Sequence, residues 1–239
     1  MTAMLKGAGR WLDWAAITTS SVVLIGGVAL GILPLNMTEV LGFVTGAISV
    51  WLTVKQNIWN WPIGIINNLF FVVLFLSSQL YADMGLQIVY IVLSVLGWYW
   101  WLHGGDHQGR MPVTHLKLPI LLVLGLLGTL SCWELTLFLQ SVNDTAPFLD
   151  ALTTVLSLVA QYLLTRKLLE NWYVWIATDI IYIGLYAYKN LYLTSVLYFI
   201  FMVMCVVGWW GWRKTVAVKS QKRAEVSETA RWVAETEGW

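Results

Sequence analysis

Five residues in the stretch NWYVWIATDIIYIGLYAY are spaced to act together. Trp172, Trp175, Asp179, Tyr182 and Tyr186 recur three and four positions apart, which places them on one face of a helix. Indole and phenol faces stack on flat rings and attract cations, and a carboxylate adds a full negative charge. The stretch WNWPIGIINNLFFVVLF carries a matching face of Trp61, Gly64, Asn68, Phe71 and Phe75, with Asn67 beside Asn68. Gln87, Tyr90 and Ser94 form a further stripe, matched by Tyr198, Phe201 and Cys205. Such stripes suit a small ring-bearing polar solute, cationic or neutral. The candidate binding residues are Trp61, Asn67, Asn68, Gln87, Tyr90, Trp172, Trp175, Asp179 and Tyr182.

Other chemistries lack their residues. No lysine lies in the middle of an apolar run, so a retinal-type Schiff base has no partner. His103, His107 and His115 share one loop, and Gly104 and Gly105 break the helix that would align the first two as metal ligands. Cys132 and Cys205 fall in separate apolar runs, which indicates neither a disulfide nor a thiolate metal site. There is no phosphate-cradling GxxxxGK[ST] and no Ser/His/Asp arrangement. The expectation is a protein that is not an enzyme and holds no cofactor or metal. Structural roles compete for several candidates. Aromatic stripes also pack helices or face lipid, and Asn67 and Asn68 could bond between helices. Asn60 and Asn171 suit N-caps, with Trp61 and Trp172 at interfacial depth, while Trp98, Trp101, Trp209 and Trp212 read as an aromatic belt. Asp179 fits such roles least, because a carboxylate at mid-membrane is unfavourable by several kcal/mol.

The elements that must hold these residues are membrane helices. Of 239 residues, 59% are hydrophobic and 11% charged, and the mean hydropathy is +0.70. That is less than half the charge of a soluble domain, at roughly 25%, and it excludes a soluble enzyme or a nucleic-acid binder. Apolar runs at about 14–33, 40–56, 62–78, 84–102, 117–139, 147–165, 172–188 and 191–212 predict eight transmembrane helices. Thirteen of the fourteen Lys and Arg then fall on one side, all but Lys189, which predicts cytoplasmic termini.

A repeat organises these spans. Residues 51–101 align without a gap on 162–212, a shift of 111, with 13 of 51 pairs identical, and Asn68 falls on Asp179. The fold class expected is all-α and polytopic, with two parallel three-helix repeats joined by an inverting helix, plus an extra N-terminal helix. The segments are an N-terminal tail and helix at 1–36, a first repeat at 37–102, a loop at 103–116 and a linker helix with its loop at 117–146. A second repeat follows at 147–213, then a charged cytoplasmic tail at 214–239.

WNWPIGIINN (59–68), NWYVWIATD (171–179), GWYWW (97–101) and GWWGW (208–212) together resemble the Pnu family of bacterial vitamin transporters, of the PnuC type, over about 40–213. The resemblance implies a fold related to SWEET sugar transporters, a homotrimer in the inner membrane and facilitated diffusion of nicotinamide riboside. It also implies a cytosolic kinase that traps the vitamin by phosphorylation. Sibling members carry thiamine or riboflavin. A proton-coupled carrier using Asp179 and a non-transporting membrane scaffold are the other readings of the same residues.

Overall fold

The structure, a computed structural model, describes residues 37–77, 81–105, 110–188 and 192–237. The span expected at 14–33 and Lys189 lie outside the described residues. The described helices are α1 (Met37–Val54), α2 (Asn60–Ser77), α3 (Tyr81–His103), α4 (Leu118–Ser141), α5 (Pro147–Thr165), α6 (Asn171–Tyr188) and α7 (Tyr192–Glu237). Pro62, Pro119 and Pro147 occupy the first turns of α2, α4 and α5. A proline there removes no intrahelical hydrogen bond.

Five helical stretches are long and apolar enough to cross a membrane: Asn60–Ser77, Met84–His103, Leu118–Ser141, Pro147–Thr165 and Ser195–Val218. Val40–Val54 is apolar but shorter. α6 has 18 residues, yet its Trp, Tyr, Asn171, Thr178 and Asp179 side chains lower its hydropathy. The helix richest in candidate binding residues thus reads weakest as a span. α4 buries none of its residues, and Leu121, Leu122, Leu126, Leu127 and Leu130 are each more than half exposed. A helix with leucine on so many sides needs lipid around it. The chain is a multi-pass helical membrane protein.

The helices form two compact units, one up to Trp98 and one from Tyr99. In the first, α1 packs on α2, and α3 meets α2 where Gly97 leaves room for an indole. A Cβ on Gly97 would stand 2.3 Å from Trp61. In the second, α4 packs on α5, α5 on α6 and α6 on α7. Here a Cβ on Gly208 would stand 2.5 Å from Trp172. The turns leading into α2 and α6 also share one hydrogen-bond pattern. The amides of Lys55, Gln56 and Asn57 donate to the carbonyls of Trp51, Thr53 and Leu52. Those of Arg166, Lys167 and Leu168 donate to Tyr162, Leu164 and Leu163, each position 111 residues on. Gln56 and Lys167 both close the preceding helix in the left-handed region, at φ 53°.

Two expectations need correction, on Trp101 with Trp212 and on Asn171. α7 itself continues as helix to Glu237, through the charged segment that follows its apolar part. Its Ala, Glu, Lys and Gln residues favour helix once the chain has left the apolar region. Trp101 and Trp212 are not a belt at the lipid interface: they are 2% and 0% exposed. The Trp101 indole donates to the Leu164 carbonyl at 3.2 Å, and its ring lies 5.8 Å from that of Trp212. Asn171 does not cap α6 with its oxygen, because its amide nitrogen donates backwards to the Leu168 carbonyl at 2.6 Å.

The two interior glycines of α7 separate packing from propensity. Gly208→Ala should destabilise the detergent-solubilised protein by about 1–3 kcal/mol, the usual effect of overpacking. Gly211→Ala, with open space where its Cβ would go, should leave the thermal midpoint unchanged or slightly raised. Thermal unfolding followed by tryptophan fluorescence measures both.

Candidate functional site

The α6–α7 interface is ordered from one end to the other. Trp172, 1% exposed, fills the gap above Gly208 and meets Trp212 edge-on, with centroids 5.3 Å apart at 87°. Two helical turns on stands Asp179, only 5% exposed. The thiol of the equally buried Cys205 donates to its Oδ2 at 3.6 Å. Among the described residues no other hydrogen bond reaches this carboxylate, and no cation pairs with it. Beyond it the rings of Tyr182 and Tyr198 lie 4.5 Å apart, and Tyr186 stacks on Tyr198 at 5.2 Å and 13°. Phe201 meets Tyr198 edge-on at 6.1 Å. Ser195 closes the far end by donating to the Ile183 carbonyl at 3.0 Å. The result is a buried acid flanked by aromatic faces, an arrangement suited to a flat cationic ring.

α6 thus brings Asp179 and Tyr182 into one cluster, while Trp175 is half-buried on the same helix. Trp172 is fully enclosed by Gly208 and Trp212, so it acts here as packing that fixes α6 against α7. Tyr186, Tyr198, Phe201 and Cys205 complete the cluster although they were not among the candidate binding residues. The signal for all four was present: Tyr186 lies on the face of Asp179 and Tyr182, and Tyr198, Phe201 and Cys205 are the positional mates of Gln87, Tyr90 and Ser94.

The first unit separates two neighbouring asparagines. Asn67 reaches α1, donating from Nδ2 to the Gly42 carbonyl and, at 3.0 Å, to Thr45 Oγ1. It ties helices together. Asn68 is half-buried, and among the described residues its amide makes no hydrogen bond. Gln87 is likewise half-buried with no recorded side-chain partner among the described residues, and Tyr90 is half-buried. Trp61, 2% exposed, repeats on Gly97 the enclosed packing of Trp172.

The segment after α3 is tied down at the turn leading into α6. Lys167 Nζ donates to the Met111 carbonyl at 2.9 Å and lies 4.4 Å over the Trp101 ring. Burial, and then the charge of Arg110, lowers the Lys167 pKa from 10.5 to about 8. Glu170 accepts from the Leu116 amide at 2.8 Å and contacts His115 Nδ1 at 2.9 Å. The loop expected at 103–116 is therefore fastened rather than free along its second half.

Apolar helices around a buried acid and aromatic rings define a polytopic membrane protein, and its family is that of a transporter. The family model described as nicotinamide mononucleotide transporter matches residues 36–214, and the chain belongs to this family, as a PnuC-type member. Nicotinamide riboside transporter PnuC of Escherichia coli (strain K12) is 27% identical over 200 residues, covering 73% of this chain and 84% of the relative. Nicotinamide riboside transporter PnuC of Neisseria mucosa is 26% identical over 223 residues, covering 87% and 84%. Riboflavin/roseoflavin transporter RibM of Streptomyces davaonensis is 25% identical over 183 residues, covering 72% and 84%. The crystal structure of the vitamin B3 transporter PnuC shares the fold, with a TM-score of 0.63 at 24% identity over 84% of this chain and 92% of that one.

The asparagine pair offers a direct check on these assignments. Asn67→Leu should lower stability by about 0.5–2 kcal/mol, the range for interhelical hydrogen bonds in membranes. Asn68→Leu should leave the thermal midpoint unchanged and weaken ligand binding instead. Unfolding and ligand titration on the same two purified variants separate the roles.

Proposed function

We propose that the chain carries nicotinamide riboside across the bacterial inner membrane by facilitated diffusion, and that a cytosolic kinase then traps the vitamin as its phosphate. The observation that carries this reading is Asp179, buried beside stacked tyrosines with a thiol as its one recorded donor. A pyridinium ring supplies the missing positive charge and the flat face those tyrosines match. The contacts assigned to substrate are Asn68, Gln87, Tyr90, Trp175, Asp179 and Tyr182, with Trp61, Asn67 and Trp172 as positioning residues.

The family description names the mononucleotide, whereas the PnuC relatives are named for the riboside. The residues favour the riboside. No Lys or Arg lies within 40–54, 60–77, 84–103, 118–141, 147–165, 171–188 or 195–212, so a phosphate at membrane depth would find no cationic partner. The RibM relative supports riboflavin as the alternative substrate, and thiamine is the other vitamin cargo of the wider family.

The architecture proposed is eight spans with both termini cytoplasmic, two parallel three-helix repeats at 37–102 and 147–213 and an inverting helix between them, assembled as a homotrimer. Its support is the 111-residue repeat and the matched Trp-on-Gly packing inside each unit. Uncoupled transport is proposed because the position equivalent to Asp179 is Asn68, which cannot titrate.

Proteoliposomes containing only this chain test the reading. Nicotinamide riboside should exchange in both directions and stop at equal concentrations, while nicotinamide mononucleotide should not compete. Preference for riboflavin or thiamine would reassign the substrate. Uphill uptake that collapses with an uncoupler and disappears in Asp179→Asn would make the protein a proton-coupled carrier.

A further inference from the structure

α4 and α5 approach closely at Gly128, where an added Cβ would stand 3.6 Å from Val155. Further along, they bound a shallow, open surface groove whose walls include Ser131, Glu134, Leu135 and Phe138 of α4 and Thr154 and Leu158 of α5, with Ser131 and Glu134 exposed on the helix surface. Ser131, Glu134, Leu135 and Phe138 are spaced i, i+3, i+4 and i+7, so the α4 wall is a single helix face. Glu134 is the one acidic residue of α4 and stands seven residues before its end, about 10 Å at the helical rise.

The polar groups of this groove are unlike their neighbours. Thr129, Thr136, Thr153 and Ser157 each donate to a carbonyl four residues back on their own helix. Among the described residues, the hydroxyls of Ser131 and Thr154 make no such bond, and Glu134 has no ion pair or hydrogen bond. A carboxylate within an apolar helix, with two uncommitted hydroxyls on the same groove, calls for a cation with several donors.

We propose that this groove binds the primary ammonium headgroup of a membrane phospholipid. Glu134 is the counter-ion, and Ser131 and Thr154 supply two further acceptors, which matches the three N–H donors of an ammonium. Leu135, Phe138 and Leu158 give the adjoining acyl chain an apolar wall. Glu134 stands on the last third of α4, about 10 Å from its end, rather than at the middle of the helix. A choline headgroup has no N–H to donate, and an anionic headgroup would meet the carboxylate. No residue of this groove belongs to the substrate contacts proposed above.

Native mass spectrometry of the full-length protein, supplied with equal phosphatidylethanolamine, phosphatidylglycerol and phosphatidylcholine, tests the site. Phosphatidylethanolamine should be retained in preference to both others. Glu134→Gln and, separately, Thr154→Val should each reduce that preference by roughly tenfold or more, the loss expected with one charge-assisted hydrogen bond. Thr154→Val keeps side-chain volume, so it decides the matter if Glu134→Gln fails to fold. Equal retention of the three lipids by the unaltered protein, or an unchanged preference in a folded variant, would overturn the proposal.

Discussion

An indole resting on a bare glycine is the contact on which the binding cluster depends. With no Cβ at Gly208, Trp172 sinks fully between α6 and α7, and its edge meets Trp212. That anchor sets the spacing of the two helices from one end. Asp179 then falls opposite Cys205, and Tyr182 and Tyr186 fall against Tyr198. A larger residue at 208 would push the two helices apart at this end. The stiffness has a chemical purpose, because a buried acid is tolerable in an apolar setting only where its surroundings hold it in one place.

The same device recurs on Gly97 and Trp61 within the first unit, but its polar content differs. Asn68 stands where the second unit has Asp179, and Ser94 where it has Cys205. Thr178 bonds to the Val174 carbonyl of its own helix, while Asn67 at the matching position reaches across to α1. One backbone plan thus carries a carboxyl group in one unit and an amide in the other.

Periodicity and hydropathy located the described helices because most of their apolar runs end at a proline, a glycine pair or a turn of polar residues. They could not tell which side of a helix faces inward. Asn67 and Asn68 are adjacent, yet about 100° of helix rotation turns one toward α1 and not the other. Trp101 and Trp212 looked like interfacial residues because their positions near span ends are those of a belt, whereas their indoles point between helices. The continuation of α7 to Glu237 was hidden by its charge: hydropathy reports where a helix leaves lipid, not where it ends. The fastening of the 110–116 segment by Lys167 and Glu170 depends on contacts more than fifty residues apart, which local pattern does not carry.

The central claim is that Asp179 recognises a positive charge on the ring of the proposed substrate. Calorimetric titration of nicotinamide riboside and of its uncharged dihydro form, against the unaltered protein and Asp179→Asn, measures that interaction as a double-substitution cycle. The account predicts that the unaltered protein prefers the cationic ring by about tenfold or more, and that the preference largely disappears in Asp179→Asn. An equal preference in both proteins would contradict it.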